Sequence, residues 1–212
     1  EASFNYTENL LRRRDDTDAI VFWGEKEVRS RLSHKELYER VCKLSKALRV
    51  RGVKKGDRVA GYMPNMPETI IAMLATASVG AIWSSCSPDF GVQGVLDRFG
   101  QVKPKVLFAV AGYYYGGKVA DCSKKLNSII NELPSVETTI MVGYVNEIEC
   151  HDYRFVNEDF ESIIESETAS QMNFERLPFD HPLFIMFSSG TTGIPKCIVH
   201  GAGGTFLQHI KE

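Results

Sequence analysis

Leu183-Phe184-Ile185-Met186-Phe187-Ser188-Ser189-Gly190-Thr191-Thr192-Gly193-Ile194-Pro195-Lys196-Cys197-Ile198-Val199-His200 is the stretch whose reading decides the fold. Its first five residues are all apolar, the pattern of a short strand buried on both faces. Residues 197–200 read as a second strand, so the polar segment 188–196 joins strand to strand. That segment carries two serines, two threonines, two glycines and one lysine. Glycine tolerates φ > 0 and close approach of the main chain, which lets successive backbone N–H groups converge on an anion. Hydroxyls add further donors, and Lys196 adds a point charge. The chemistry is that of a polyphosphate cradle. A polar hairpin tip is the competing reading, but the paired serines, Pro195-Lys196 and the flanking strands favour the cradle. It is no Walker A loop, which needs Gly-Lys-Ser/Thr running into a helix; here Pro195 separates Gly193 from Lys196.

Working outward, residues 19–23 and 28–32 are β-prone runs around Gly24-Glu25-Lys26-Glu27, a hairpin signal. Ser33 followed by Glu36 is a capping box, and Leu37, Val41, Leu44 and Leu48 then recur at helical spacing until Gly52. A strand is expected over 58–63, a helix from Glu68 to about Gly80, and a strand over 81–84. Next come a helix over 92–102, a strand over 105–110, an amphipathic helix over 118–133 and a strand over 138–142. Alternating strands and helices with short connections predict an α/β fold with a mostly parallel sheet covered on both faces. Between about 143 and 177 the chain turns acidic and loses this rhythm, apart from a short helix near 159–166. The expected organisation is a first α/β subdomain over 1–143, a connection over 144–180, and the start of a second sheet subdomain over 181–212. The strand pair around the loop is expected to have few further partners in the chain.

The chain has 212 residues, 43% hydrophobic and 25% charged, with net charge −2. That balance gives no electrostatic reason for a nucleic-acid or anionic-membrane partner. Arg12-Arg13-Arg14 is followed at once by Asp15-Asp16, a solvated turn. Cys42, Cys86, Cys122, Cys150 and Cys197 are odd in number and lack any Cys-x-x-Cys pair, which fits a reducing cytoplasm better than a disulfide framework or zinc site. The chain opens without methionine and ends inside a helical pattern, so a piece of a longer protein is expected.

The nonamer Ser188-Ser189-Gly190-Thr191-Thr192-Gly193-Ile194-Pro195-Lys196 in its strand–loop–strand setting resembles the phosphate loop of the acyl-adenylate-forming enzymes. Gly80-Ala81-Ile82-Trp83-Ser84-Ser85-Cys86-Ser87-Pro88-Asp89-Phe90-Gly91, Asn5-Tyr6-Thr7-Glu8-Asn9-Leu10-Leu11 and Phe179-Asp180-His181-Pro182 are similar to the acetoacetyl-CoA synthetase branch of that superfamily. The resemblance runs over essentially the whole chain. It implies the N-terminal portion of the large adenylating domain, and an AMP-forming ligase that joins acetoacetate to CoA at the expense of ATP and Mg²⁺. It implies that Ser188, Ser189, Gly190, Thr191, Thr192, Gly193 and Lys196 hold the ATP phosphates, with Lys196 catalytic. The family's Mg²⁺, ribose and C-terminal catalytic-lysine segments do not occur within these residues, so the 212-residue chain by itself is expected to be inactive.

Other candidates carry weaker signals. Tyr113-Tyr114-Tyr115-Gly116-Gly117-Lys118 sits where acetyl-CoA synthetases carry Arg-Gly-Gly-Lys against CoA; Tyr115 stands in the arginine's place. Gly116, Gly117 and Lys118 are therefore CoA candidates, on the expectation that they open a helix whose N-terminus attracts phosphate. Trp83 reads as core, with an acyl-pocket wall as the alternative. Asp89, Asp97 and Arg98 read as helix decoration, and His200 as structural. His34, His151, His181 and His209 show no metal-ligand spacing. Neither Cys86 nor Cys197 has a basic partner nearby in sequence that would make it a nucleophile.

Overall fold

The structure, a computed structural model, describes residues 3–25, 29–145, 148, 157–169, 171–188 and 193–211. Helix α1 (Tyr6–Leu10) starts under the cap of Asn5, whose side chain accepts from the Thr7 and Glu8 amides. Strands β1 (Asp18–Trp23) and β2 (Arg29–Ser33) form the expected antiparallel hairpin. Ser33 then caps α2 (His34–Val50): its hydroxyl accepts from the Glu36 amide at 3.2 Å while the Glu36 carboxylate accepts from the Ser33 amide at 2.8 Å. The capping box read from sequence is present. Leu37, Val41, Leu44 and Leu48 all point inward.

The chain continues through β3 (Arg58–Tyr62), α3 (Pro67–Ser78), β4 (Ile82–Cys86), α4 (Val92–Val102) and β5 (Val106–Ala109). It then forms β6 (Gly112–Tyr115), β7 (Lys118–Asp121), α5 (Ser123–Asn131), β8 (Thr138–Met141), β9 (Asn157–Asp159) and α6 (Phe160–Ser166). The last elements are β10 (Pro182–Ser188), β11 (Lys196–Gly201) and α7 (Ala202–Lys211). Seven strands make one sheet in the order β11-β10-β4-β3-β5-β8-β9, parallel throughout except for the antiparallel β10–β11 edge.

Strand residues alternate between two cores, as a doubly covered sheet requires. Val59, Val106, Phe108 and Ile140 join α2, α3 and α6 on one face. Ala60, Tyr62, Leu107, Ala109 and Met141 join α4 and α5 on the other. Right-handed crossovers demand this division: the step from β3 to β4 runs one way along the sheet, and those from β4 to β5 and β5 to β8 run the opposite way. No described helix is long and apolar enough to cross a membrane.

Three expectations need correcting. The helix expected over 118–133 begins only at Ser123; residues 118–121 pair with 112–115 as a hairpin. Gly116 and Gly117 turn it with φ of +58° and +74°, the left-handed pair of a two-residue type I′ turn. The stretch between 143 and 177 also contributes to the sheet, through β9 beside β8, and α6 buries Phe160, Ile163 and Ile164. Finally, the strand pair around the loop is well partnered: β10 lies parallel to β4, with Phe184 opposite Trp83 and Ile185 opposite Ser84. Residues 182–201 thus extend the sheet that the first 143 residues build.

Candidate functional site

β10 is anchored at its start and aimed by its neighbour. The buried His181 ring donates from Nε2 to the Gly80 carbonyl at 2.9 Å, and the Ala202 amide donates to the His181 carbonyl at 2.8 Å. Further along, the Ser84 hydroxyl donates to the Ile185 carbonyl at 2.8 Å. The strand therefore delivers Ser188 to the carboxyl edge of the sheet, beside the end of β4. Ser188 pairs with Lys196 across the antiparallel ladder, closing the loop at its base. Ser189, Gly190, Thr191 and Thr192 lie outside the described residues. Gly193 has φ of +94°, and a Cβ built there meets nothing within 4 Å, so its backbone requires glycine even though the space does not. Pro195 is buried while Lys196 is exposed.

A cavity of about 540 Å³ opens beside this base between β4, β10 and α7. Trp83, Ser84, Ser85, Cys86 and Ser87 line one side and Phe184 to Phe187 another, with His200, Thr205 and His209 beyond. Such a crevice past the carboxyl ends of parallel strands is where open α/β sheets hold ligands. Trp83 is a core residue, 5% exposed and 6.2 Å from Phe108, and it also lines the cavity.

In the turn after β4 one carbonyl gathers three side-chain donors. The Pro88 carbonyl receives the Tyr62 hydroxyl at 2.9 Å, the Lys125 ammonium at 3.0 Å and the Cys122 thiol at 3.6 Å. Burial pushes the Tyr62 phenol far up, so it stays a donor. This clamp fixes Phe90, over whose ring Arg98 stacks at 4.4 Å; the same guanidinium lies 5.6 Å from Phe187 and donates to the Gly94 carbonyl at 2.6 Å. Arg98 is therefore a cavity-wall cation next to the loop base, where sequence reasoning read it as helix decoration. Asp97 does stay on the helix surface, accepting from Gln93. The Cys86 thiol is pushed up to about 12 by burial, with the Arg98 charge acting the other way, so at neutral pH it is a protonated wall and no nucleophile.

Gln101 was also missed. Its amide nitrogen donates to the Pro195 carbonyl at 3.0 Å, reaching from α4 to the outgoing limb of the loop. Gln101 carries no local signal, because Pro195 comes 94 residues later, and the approach of Arg98 to Phe187, unlike its contacts with Phe90 and Gly94, is equally non-local.

The Gly116-Gly117-Lys118 segment lies apart from this cluster. It caps the β6–β7 hairpin, which follows β5 at the same carboxyl edge but two strands beyond β4 in the sheet order. It is not a helix N-terminus. Its turn still presents a donor to an anionic oxygen: the Gly117 amide donates to the Glu25 carboxylate at 3.1 Å. Tyr115 is exposed. His34 sits at the start of α2 and His209 meets the Tyr6 hydroxyl at 2.8 Å, while His151 lies outside the described residues. Among the described residues no three His, Cys, Asp or Glu side chains gather as a metal site.

Comparison with known proteins agrees with this arrangement. The family pattern of the AMP-binding enzymes matches residues 7–210. Acetoacetyl-coenzyme A synthetase of Rhizobium meliloti (strain 1021) is 53% identical over 216 residues, taking in 100% of this chain and 32% of the relative. Acetoacetyl-CoA synthetase of Macaca fascicularis is 48% identical, taking in 98% of this chain and 32% of the relative. The solved structure of acetoacetyl-CoA synthetase from Streptomyces lividans superposes with a TM-score of 0.91 at 41% identity, over 99% of this chain and 32% of that one. The chain thus spans about a third of the length of the relatives it matches. With the family pattern covering nearly all of it, the chain belongs to the AMP-binding enzyme family.

Proposed function

We propose that this chain is the N-terminal part of an ATP-dependent ligase that activates acetoacetate and passes the acyl group to CoA. One observation carries the reading. A hydroxyl- and glycine-rich loop is closed by Ser188 and Lys196 at the carboxyl edge of a parallel sheet, beside a cavity, in a chain 41–53% identical to proteins named acetoacetyl-CoA synthetase. In the first step an acetoacetate carboxylate oxygen attacks the α-phosphorus of ATP; the bond to the β-phosphate oxygen breaks and pyrophosphate leaves. In the second, the CoA sulfur attacks the acyl carbon, the bond to AMP breaks, and the thiol proton is lost to solvent or base.

The chain's own part is positioning and charge stabilisation. Ser188, Ser189, Gly190, Thr191, Thr192 and Gly193 would donate to the β- and γ-phosphates, and Lys196 would neutralise charge on the leaving pyrophosphate. A charged donor to phosphate is about twice as strong as a neutral one, which is why Lys196 is the catalytic residue of the set. Mg²⁺ would enter with the polyphosphate, since the described residues bring no carboxylate cluster to this place. Gly116, Gly117 and Lys118 would meet the nucleotide end of CoA, the turn amide exchanging the Glu25 carboxylate for a phosphate oxygen.

The experiment is acyl-CoA formation by the full-length protein carrying this chain, with acetoacetate, acetate and propionate compared at equal concentration. A kcat/KM for acetoacetate at least about tenfold above both others is expected, the discrimination a few extra pocket contacts supply. Preference for acetate or propionate would move the protein to another short-chain acyl-CoA synthetase. Nucleotide binding without turnover on any acid would leave a binding module.

A further inference from the structure

Gln101 lies in the last turn of α4 and crosses to the loop. Its two amide hydrogens are both engaged: Nε2 donates to the Asp97 carbonyl of its own helix at 2.5 Å and to the Pro195 carbonyl at 3.0 Å. Its carbonyl oxygen accepts from the Cys197 thiol at 3.6 Å. Pro195 and Cys197 are the neighbours of Lys196 on either side. One carboxamide therefore grips the chain both before and after the lysine, and its bond to Asp97 ties that grip to a helix whose Val95, Phe99 and Val102 are buried. The incoming limb that ends at Ser188 is braced three residues earlier, where Ile185 pairs with Ser84 in the β10–β4 ladder and its carbonyl accepts from the Ser84 hydroxyl. Among the described residues the outgoing limb has no such ladder on its far side, because β11 is the outermost strand of the sheet and Ile198 and Val199 are exposed. A long flexible lysine on an edge strand loses rotamer and backbone freedom when it meets a phosphate, and any prior restraint lowers that cost.

We infer that Gln101 is a positioning residue for nucleotide use: it holds the backbone at Lys196 so that the ammonium is aimed into the loop before ATP arrives. The inference rests on the phosphate-binding reading of the loop. It predicts that Gln101 acts only through Lys196, whereas a merely structural residue would affect stability and every step alike.

A double-mutant cycle in the full-length protein tests it. Two quantities are read: the Kd of a non-hydrolysable ATP analogue with Mg²⁺ by calorimetry, and acid-dependent exchange of pyrophosphate into ATP. Gln101→Met keeps the length and helix propensity of the side chain and removes both loop contacts. It is expected to weaken analogue binding about fivefold to tenfold, the worth of a good hydrogen bond. The thermal midpoint and the reaction of preformed acyl-adenylate with CoA should not change. In a Lys196→Met background the same substitution should add less than about twofold, since its route is gone. Gln101→Glu retains the size, removes the donor and sets a carboxylate beside the loop, so it should weaken binding at least as much as Gln101→Met.

Unchanged analogue affinity in Gln101→Met overturns the inference, as does a full multiplicative effect in the Lys196→Met background. A drop in thermal midpoint with equal loss of both half-reactions assigns Gln101 a structural role and overturns it too. Failure of the ligase reading shows separately, as wild-type protein that binds the analogue but exchanges no pyrophosphate with any acid; the binding cycle is still decisive in that case. Wild-type protein with no measurable affinity for the analogue overturns both.

Discussion

Gly61→Ala probes the floor of the cavity with a single carbon. Gly61 lies in β3, opposite Ser85 of β4 on one side and Phe108 of β5 on the other, so its backbone cannot move aside within the sheet. A Cβ built on it stands 2.8 Å from both Cζ2 and Cη2 of Trp83. That is well inside carbon–carbon contact, and Trp83 is 5% exposed, with Phe108 packed against it. Overpacking of this kind costs about 1–3 kcal/mol. Replacing glycine by alanine at an unstrained position returns about 0.4–1 kcal/mol through the unfolded chain. The net is a destabilisation of roughly 1–2 kcal/mol, or about 2–8 °C in melting midpoint for a body of this size. The indole has one way to yield, into the cavity it lines. The full-length protein should therefore also show a raised KM for the substrate that occupies the cavity, with the KM for ATP unchanged. Trp83→Phe lacks the two ring carbons that the new methyl meets. The double variant Gly61→Ala/Trp83→Phe should thus be more stable than the sum of the single effects by about 1 kcal/mol. Thermal unfolding of the four proteins in parallel decides it. Gly61→Ala with the parent midpoint or a higher one would refute the contact, and strictly additive effects would refute the role of Trp83.

Other outcomes are expected at the loop and in the core. Lys196→Ala in the full-length protein should slow acid-dependent pyrophosphate exchange by about 10²-fold or more, in the range seen when a donor to developing charge is removed, with acid affinity little changed; an unaltered rate would remove Lys196 from catalysis. Gly193→Val should abolish ATP use yet leave the melting midpoint within a few degrees, because the penalty is local backbone strain at φ of +94° with open space around it; wild-type ATP affinity would refute the cradle. Burial raises the Cys86 thiol from 9.0 to about 12 and the Tyr6 phenol from 10.0 to about 12. Both groups are neutral in the folded and unfolded chain below about pH 9, and above it the unfolded chain loses their protons first. Their stabilisation is thus fully present below pH 9 and is lost as pH rises towards 12. Cys86→Ala should flatten the fall in stability over that window, and an identical alkaline slope would show the thiol to be solvated.

The parts legible in the sequence are those with a local physical cause. The Ser33–Glu36 box, the apolar spacing of α2 and the uninterrupted apolar run of β5 each declare their structure within one window. The β6–β7 hairpin was legible too, since Gly116-Gly117 between β-prone tyrosines is a type I′ turn signal. The helical stripe of Leu126, Ile129, Ile130 and Leu133 just beyond competes with that signal and favours a helix start at Lys118. β9 had no such signal: Asn157-Glu158-Asp159 contains no apolar residue, and its pairing with β8 is imposed by the tertiary structure. The parallel pairing of β10 with β4 spans about a hundred residues, and nothing in either strand names the other.

That non-local pairing is what turns a legible loop into a site. On the function proposed above the nonamer supplies phosphate donors, and the base of the loop is placed by the register of β10 on β4 and by the contact of α4 with the outgoing limb. The same registration brings Phe187 to Arg98 and thereby joins the loop base to the cavity wall. Arg98 sits on a helix fixed by the Pro88 clamp, Gln101 sits one turn further along that helix, and Lys196 lies between the two residues that Gln101 holds. One helix thus carries Arg98 and contacts both chain neighbours of Lys196. A shift of α4 by even an ångström would move Arg98 and Lys196 together, and misplacement on that scale is enough to cost two orders of magnitude in a reaction that depends on positioning. The residues that hold α4 in place, Val95 and Phe99 against the sheet, therefore belong to the functional argument as much as to the core.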